Sequence, residues 1–514
     1  MSIEFPERFN MSDYFLYHNV EEGRENKVCL YYEDQKFTYG EAVRLANRAG
    51  NAVRELGARM EDRVLIVLPD CPEFAWVWFG ASRAGAILTM VNPLLPAVDY
   101  EYYLEYTRAP VAVIHESLVE QFTQAARGAK YLRKVLVVGK ERDEFESFDE
   151  VTSAMPDELT PADTRRDDIA IWLFTSGSTG QPKGAVHFQH DLPYNTECYA
   201  KRVLGIREDD TTIAVPKLFF GYATGTNLLF PFSVGGATAL FSERSTPEKM
   251  FELIERFRPT ILTSVPTMIN AMLNLEGAAQ RDLSSLRCCL SAGEALPVEL
   301  YERWKKTFGV EILDGIGSAE MFHIYISNRP GDVKPGSLGR VVEGYEARVV
   351  DAEGRELPVG EMGTLKVKGD SAALCYWQAH EKSKETFAGD WCTTGDQFHV
   401  DAEGYFWYRG RTDDMLKVSG IYVSPTEIEH CLMQHEAVQE CAVVGHDAGD
   451  RLVKPKAFVV LRETFAASDD LAALLKEFVK SHLAVYKYPR WIEFVASLPK
   501  NDRGKIDRKQ LKGR

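Results

Sequence analysis

The chain runs to 514 residues and carries a formal net charge of −16, with 45% apolar and 26% charged residues. That length is too great for one ordinary core, so two or three packed units are expected, and the composition is that of a soluble globular protein. The acidic balance argues against a nucleic-acid partner, which needs a basic face; the basic tail of Lys505, Arg508, Lys509, Lys512 and Arg514 reads as a solvated end.

Residues 1–10 carry Glu4, Pro6, Glu7 and Arg8 and no apolar run, so no signal peptide is expected and the cytoplasm is the expected compartment. Ala42, Val43, Leu45, Ala46, Ala49, Val53 and Leu56 recur at helical spacing, and Gly57 ends the run. Residues 63–68 predict a buried strand, 72–83 a helix, and 86–91 and 134–138 further strands. Strands at 169–174, 211–215 and 259–264 continue an alternation that implies βαβ units and parallel sheets. The apolar stretch 228–241 is broken by Pro231, Gly235 and Gly236 and is too short to cross a bilayer, so no membrane partner is expected. Nine cysteines include no CxxC pair, and Cys288 and Cys289 are adjacent in a strand-like run, which suits neither a disulfide framework nor zinc. Beyond Gly336, short β-rich segments at 347–350, 363–368 and 405–408 alternate with Glu353-Gly354 and Glu403-Gly404 turns, predicting a β-barrel-like subdomain. A boundary at 412–414 then separates residues 1–411 from a C-terminal α+β unit, 415–514, with helices near 425–433 and 471–482 and strands near 440–444 and 457–460.

The densest chemical signal is Phe174-Thr175-Ser176-Gly177-Ser178-Thr179-Gly180-Gln181-Pro182-Lys183-Gly184, directly after an apolar strand. Glycines let backbone N–H groups approach an anion, hydroxyls donate hydrogen bonds and lysine neutralises charge, so the loop suits a triphosphate. It lacks the Gly-x-x-x-x-Gly-Lys-[Ser/Thr] spacing of a Walker A loop.

This loop resembles the phosphate-binding loop of the acyl-adenylate-forming superfamily, which includes acyl-CoA synthetases, peptide-synthetase adenylation domains and firefly luciferases. Five further segments resemble that family's motifs in the right order. Ser291-Ala292-Gly293-Glu294-Ala295 is similar to the backbone run lining adenine and acyl group. Asp314-Gly315-Ile316-Gly317-Ser318-Ala319-Glu320 is similar to the segment that grips adenine and ends on a Mg²⁺-binding glutamate, here Glu320. Thr393-Thr394-Gly395-Asp396 matches the motif whose aspartate takes both ribose hydroxyls, and Gly410-Arg411-Thr412-Asp413-Asp414 the ribose-contacting arginine followed by the hinge aspartate, Asp413. Pro499-Lys500-Asn501-Asp502-Arg503-Gly504-Lys505 resembles the tail whose lysine completes the adenylation site. The family usually carries threonine where this chain has Ala319, which removes one phosphate hydroxyl; Ser318 or the hydroxyls of residues 175–179 are the available replacements.

The resemblance implies large parallel αβα sheets, a β-barrel-like subdomain and a small mobile C-terminal domain that swings about Asp413. That swing would withdraw Lys505 and bring Ser419-Gly420 toward a thiol channel. The implied substrates and cofactors are ATP, Mg²⁺, coenzyme A and a small carboxylic acid, with a homodimer among the assemblies left open. Within the superfamily the chain resembles the benzoate-type aryl-CoA ligases, through Lys217-Leu218-Phe219-Phe220-Gly221-Tyr222, Glu320-Met321-Phe322-His323-Ile324, Asn328-Arg329-Pro330-Gly331-Asp332 and residues 417–425. By that match Phe220, Gly221, Tyr222, His323 and Ile324 wall the acyl pocket, a flat apolar slot with a polar edge that suits an aromatic ring. The subgroup tends to carry alanine at the Gly221 position, so the missing methyl is expected to open room beside the ring. An aryl acid–CoA ligase is the leading reading, with benzoate or an amino- or hydroxy-substituted benzoate as the acid. A free-standing adenylating enzyme that loads a carrier protein comes second, and a non-catalytic acid- or nucleotide-binding protein third.

Overall fold

The computed structural model describes residues 3–140, 144–176, 181–418, 421–447, 453–484, 487–500 and 506–512. Gly177, Ser178, Thr179, Gly180, Ser419, Gly420 and Lys505 lie outside them, as do the side chains of Ser176 and Asp413.

Two mainly parallel sheets make the large part of the chain. Eight strands run in the order Cys375–Tyr376, Pro182–Phe188, Ile169–Ser176, Ile87–Met90, Arg63–Val67, Val111–His115, Lys134–Val138 and Glu146–Ser147. A nine-stranded sheet carries Ile324–Ser327, Ile312–Gly317, Cys288–Ser291, Ile261–Ser264, Thr211–Ala214, Ala237–Leu240 and Val28–Tyr32 as its inner strands. Strand side chains alternate between faces, and that alternation sorts the cores. Val64 and Ile66 join Leu88, Leu240, Leu290 and Leu313 in one central cluster, whereas Leu65 and Val67 turn outward to Tyr100, Leu104 and Phe122. Leu262, Cys289 and Ile312 face the other way, onto Phe251, Leu300 and Trp304. The result is five layers, helix–sheet–helix–sheet–helix.

In the central layer the helices Tyr39–Glu55 and Pro72–Arg83 approach through glycine. A Cβ on Gly50 would lie 2.4 Å from the Gly80 carbonyl oxygen, so no larger residue fits this crossing. Thr38 and Glu41 form a reciprocal capping box at the start of the first helix, with Thr38 N donating to Glu41 Oε2 at 2.8 Å.

Glu346–Val350, Gly363–Lys368, Trp391–Val400, Phe387–Ala388 and Phe406–Arg411 form a five-stranded antiparallel sheet. A short 3₁₀ turn, Thr412–Asp414, leads from it to the hairpin Leu416–Val418 and Ile421–Val423. Beyond lies a separate core of Val423, Ile428, Leu432, Val443, Val459 and Leu475, built on the three-stranded sheet of Val438–Asp447, Val453–Leu461 and Trp491–Phe494 and two helices.

Candidate active site

Ile169–Ser176 and Pro182–Phe188 pair antiparallel with Thr175 opposite Lys183, so the predicted phosphate loop is the connection of a β-hairpin. Its stem is braced from outside. Tyr102 donates to the Pro182 carbonyl at 2.6 Å, and Tyr106 accepts from Gly184 N at 3.2 Å while donating to the Trp377 carbonyl at 2.6 Å. Lys183 Nζ stands 5.6 Å from the centre of the Tyr376 ring, a cation–π contact.

Tyr376 also reaches Glu320. Its hydroxyl donates to Glu320 Oε1 at 2.5 Å, and the Glu320 carbonyl accepts from Ala373 N at 2.8 Å. Burial, with the Glu320 charge beside it, raises the phenol of Tyr376 far above its ordinary value, so it remains a donor. Glu320 Oε2 makes no hydrogen bond among the described residues. One step back along the chain, the Ala319 carbonyl is 2.7 Å from His187 Nε2, and His187 Nδ1 is 2.8 Å from Asp191 Oδ2.

The two residues expected at the ribose, Asp396 and Arg411, sit directly opposite on neighbouring antiparallel strands, 3.3 Å apart from Oδ1 to a terminal guanidinium nitrogen. Burial pushes the Asp396 carboxyl up to about 6, with the Arg411 guanidinium pulling the other way. At the turn 292–294 the Glu294 side chain is taken up by the helix Pro266–Asn274, accepting from Thr267 N at 3.0 Å and Thr267 Oγ1 at 2.8 Å. Gly293 takes φ +84° there, a conformation that favours glycine. Asp314 closes the floor. Its carboxyl is buried and raised well above the usual carboxylate range by desolvation, and its carbonyl accepts from Asn328 N and Nδ2. Gly315, Ile316 and Gly317 follow it along the strand, and a Cβ on Gly317 would meet the His323 carbonyl oxygen at 2.4 Å. Ser318 Oγ is buried without a well-formed hydrogen bond.

The residues expected to wall the acyl pocket centre on His323. Phe322 before it has φ +66° and ψ −57°, and His323 N closes a tight turn onto the Met321 carbonyl at 2.9 Å. A γ-turn of this positive-φ kind costs about 1–3 kcal/mol in strain for a non-glycine residue, which marks a segment held for a purpose. The imidazole packs against Phe230, Tyr222 and Tyr199 at centroid distances of 4.7, 5.4 and 5.6 Å. Burial depresses its pKa to about 3, so the ring is neutral at working pH. Nε2 lies 3.0 Å from the Tyr222 carbonyl and must carry the single N–H. Nδ1 is therefore a bare lone pair, buried and without a partner among the described residues, and Tyr222 OH is likewise buried and unbonded among them. Phe220 packs on Phe219 at 4.3 Å and Ile324 is buried at the start of its strand. The space beside Gly221 is small: a Cβ there would lie 3.3 Å from Leu173 Cδ1 and 3.5 Å from the Phe322 carbonyl oxygen, a tight fit that Leu173 would have to ease by a few tenths of an ångström.

The chain matches the AMP-binding enzyme family over residues 16–377 and its C-terminal domain over residues 427–505. It is a member of the AMP-binding enzyme family. This AMP-binding enzyme is 44% identical over 513 residues to a benzoate–CoA ligase of Thauera aromatica, covering 99% of this chain and 97% of that protein. It is 38% identical to a 4-hydroxybenzoate–CoA/benzoate–CoA ligase of Rhodopseudomonas palustris, across 98% of this chain and 94% of the relative. Among solved structures, the anthranilate CoA ligase AuaEII in complex with anthranoyl-AMP superposes with a TM-score of 0.95 at 43% identity, covering 99% of this chain and 97% of the other. A benzoate CoA ligase from Burkholderia xenovorans LB400 superposes at 0.91 with 42% identity, covering 98% and 100%.

Sequence reasoning about this AMP-binding enzyme missed Tyr376, Gly225 and the pair His187–Asp191. A Cβ on Gly225 would lie 2.5 Å from His323 Cδ2, so glycine there is what admits the imidazole. Tyr376 and His187 carry no motif of their own; the even spacing of Lys183 and His187 on one strand, which puts both on the same face, was the available signal.

Proposed function

We propose that this protein is an ATP-dependent aryl acid–CoA ligase that first forms an aryl-adenylate and pyrophosphate, then an aryl-CoA thioester and AMP. The observation that carries the reading is the pair of buried, unbonded polar atoms on packed aromatic rings, His323 Nδ1 and Tyr222 OH, in a chain similar from end to end to benzoate and anthranilate CoA ligases. In the first step a carboxylate oxygen of the acid attacks the α-phosphorus of ATP and the bond to pyrophosphate breaks. In the second, a thiol sulfur attacks the carbonyl carbon of the mixed anhydride, and AMP leaves. Bringing two anions together makes this catalysis mainly positioning and charge stabilisation.

Under this reading Lys183 and the loop 175–180 hold the triphosphate, Asp396 and Arg411 hold the ribose, and the turn 292–294 with residues 314–319 lines the adenine. Lys505 neutralises charge at the α-phosphate, while Asp413 is the hinge between residues 1–411 and 415–514. Ser419 and Gly420 border the thiol channel. Mg²⁺ fits this arrangement: one carboxylate with a free oxygen, together with nucleotide phosphates and water, is its usual setting, and no group of three or more metal-ligating side chains competes for it among the described residues. When bound, the ion neutralises phosphate charge, and Glu320 is the residue that holds it. No helix among the described residues is long and apolar enough to cross a membrane, which accords with a cytoplasmic enzyme acting on small molecules.

The bare Nδ1 of His323 refines the acid. A buried lone pair is satisfied by a donor, so a ring amino or hydroxyl group is accepted at least as well as hydrogen. The test is a panel of benzoate, 2-aminobenzoate, hydroxybenzoates and medium-chain fatty acids with ATP, Mg²⁺ and CoA. Aryl-CoA and AMP are expected. Pyrophosphate release with transfer only to a phosphopantetheinyl carrier would replace the CoA reading, and fatty acids outpacing every aryl acid would refute the pocket. His323→Leu removes the acceptor and should lower kcat/KM for 2-aminobenzoate relative to benzoate by roughly tenfold or more.

A further inference from the structure

Glu320 is held by more than its own bond to Tyr376. The carbonyl before it, that of Ala319, is tied to His187, which is buried with 0% exposure and leans on Asp191, also at 0%. Both ring nitrogens of His187 face an oxygen: Nε2 the Ala319 carbonyl at 2.7 Å and Nδ1 Asp191 Oδ2 at 2.8 Å. A carbonyl only accepts, so Nε2 must carry a proton. Nδ1 then either donates to an ionised Asp191 or accepts from a protonated one, and in both cases the pair holds one shared proton and no net charge. Asp191 Oδ2 is fixed in turn by Phe188 N at 3.1 Å, and Oδ1 lies 3.3 Å from His190 Nε2. The chain therefore has Asp191, His187 and the Ala319 carbonyl in line, ending one residue from the carboxylate.

We propose that His187 and Asp191 form a positioning clamp that sets Glu320 for the divalent cation, so that position 319 acts through its carbonyl and not through its side chain. This explains why an alanine suffices there. It rests on the reading of Glu320 as the cation's ligand. Three bonds converge on the two residues: His187 on the Ala319 carbonyl, Ala373 N on the Glu320 carbonyl, and Tyr376 OH on Glu320 Oε1. With both peptide carbonyls and one carboxylate oxygen fixed, Oε2 is left in a single place. His187 touches no substrate atom; it is a positioning residue, and it shares a strand face with Lys183, so one strand orients both the ammonium and the carboxylate toward the phosphates.

The experiment uses the full-length enzyme and two equilibrium measurements. Mn²⁺ binding in the presence of the unreactive α,β-methylene analogue of ATP is followed by electron paramagnetic resonance. Binding of a benzoyl-sulfamoyl adenosine, which has no polyphosphate and needs no metal, is followed by calorimetry. His187→Leu keeps the volume and removes the N–H; it should weaken Mn²⁺ binding about tenfold or more and leave the sulfamoyl adenylate within about threefold. His187→Gln restores an amide N–H toward the carbonyl and should recover most of the loss. Equal weakening of both ligands would mean a general fold role and overturn the clamp, as would unchanged Mn²⁺ binding. Where His187→Leu does not fold, Asp191→Asn makes the same comparison. An amide there cannot both donate to Nδ1 and accept from Phe188 N, so the imidazole loses its fixed proton pattern. Glu320→Gln is the control. Unchanged Mn²⁺ binding in Glu320→Gln overturns the metal assignment and the clamp with it, whereas a loss there beside an unchanged His187→Leu overturns the clamp alone.

Discussion

Asp396→Asn should make the nucleotide-free enzyme more stable and a worse nucleotide binder. The carboxyl is buried and its pKa rises from 3.8 to about 6, chiefly through desolvation, so keeping it ionised in the fold is unfavourable. A shift of roughly two units corresponds to ~3 kcal/mol at pH above 6. The folded form holds the proton to higher pH than the unfolded chain does. Stability from this group is therefore fullest below pH 3.8 and is lost as pH rises from 3.8 through about 6. An amide at this position escapes that loss, so the variant should melt a few degrees higher at pH 8, with about half the gain at pH 5. Arg411 is half-exposed and also donates to the Thr394 carbonyl, so losing the Asp396 contact subtracts little. Against this, two charge-assisted bonds to ribose hydroxyls weaken, a loss of about 1.5–3 kcal/mol or roughly ten- to a hundredfold in ATP affinity. In the unmodified enzyme ATP binding near pH 6 should release about half a proton, read by calorimetry in buffers of different ionisation enthalpy. A variant that melts at or below the parent at pH 8, or binds ATP unchanged, would refute the reasoning.

Lys505→Ala should cut adenylation by roughly 10²–10³ and spare thioester formation from preformed acyl-adenylate, while Gly420→Leu should do the reverse; equal losses in both half-reactions would sink the two-position scheme. Gly225→Ala should push the His323 ring off the Tyr222 carbonyl and lower kcat/KM for aryl acids about tenfold with ATP binding intact, because its Cβ would stand 2.5 Å from the ring. Gly221→Ala, cushioned by Leu173, should leave the ratio of substituted to plain benzoate within about threefold, which the same kinetic panel measures. Gly50→Ala should destabilise the fold by about 1–3 kcal/mol without touching the cleft, since the added methyl meets the Gly80 carbonyl; chemical denaturation checks it.

Much of the fold is legible, most plainly in Gly363–Lys368, where burial on one side only leaves a strict alternation. The helix Pro72–Arg83 and the strands Lys134–Val138 and Gly363–Lys368 begin and end at the predicted residues. Val111–His115 is absent from the sequence reading: five residues buried on both faces show no alternation to separate a strand from a buried helix segment. The phosphate loop, Glu320, Asp396 and Arg411 are proposed from local motifs, because turn chemistry is written in consecutive residues, and the structure brings Asp396 and Arg411 together on neighbouring strands. What could not be read is contact between distant segments. Nothing in the sequence joins His187 to Ala319, Tyr376 to Glu320 or Leu173 to Gly221, because each pair is brought together by packing between different elements. How much room a missing methyl leaves at Gly221 is of the same kind, since Leu173, which borders that space, belongs to another strand.

Glu320 lies just past the end of a strand of the nine-stranded sheet, while Tyr376 and His187 belong to the two outermost strands at one edge of the eight-stranded sheet. The carboxylate is thus suspended across the seam between the two halves of the large domain and acts as a gauge of their alignment. A substitution far from the cleft that slides one sheet past the other would register first as poorer use of the divalent cation. Recognition of the acid would change less, because Tyr222 and His323 both sit on connections of the nine-stranded sheet and move with it. Remote variants that raise the metal requirement while leaving the acid preference alone are therefore the signature of a shifted seam, and need no damage at the site itself.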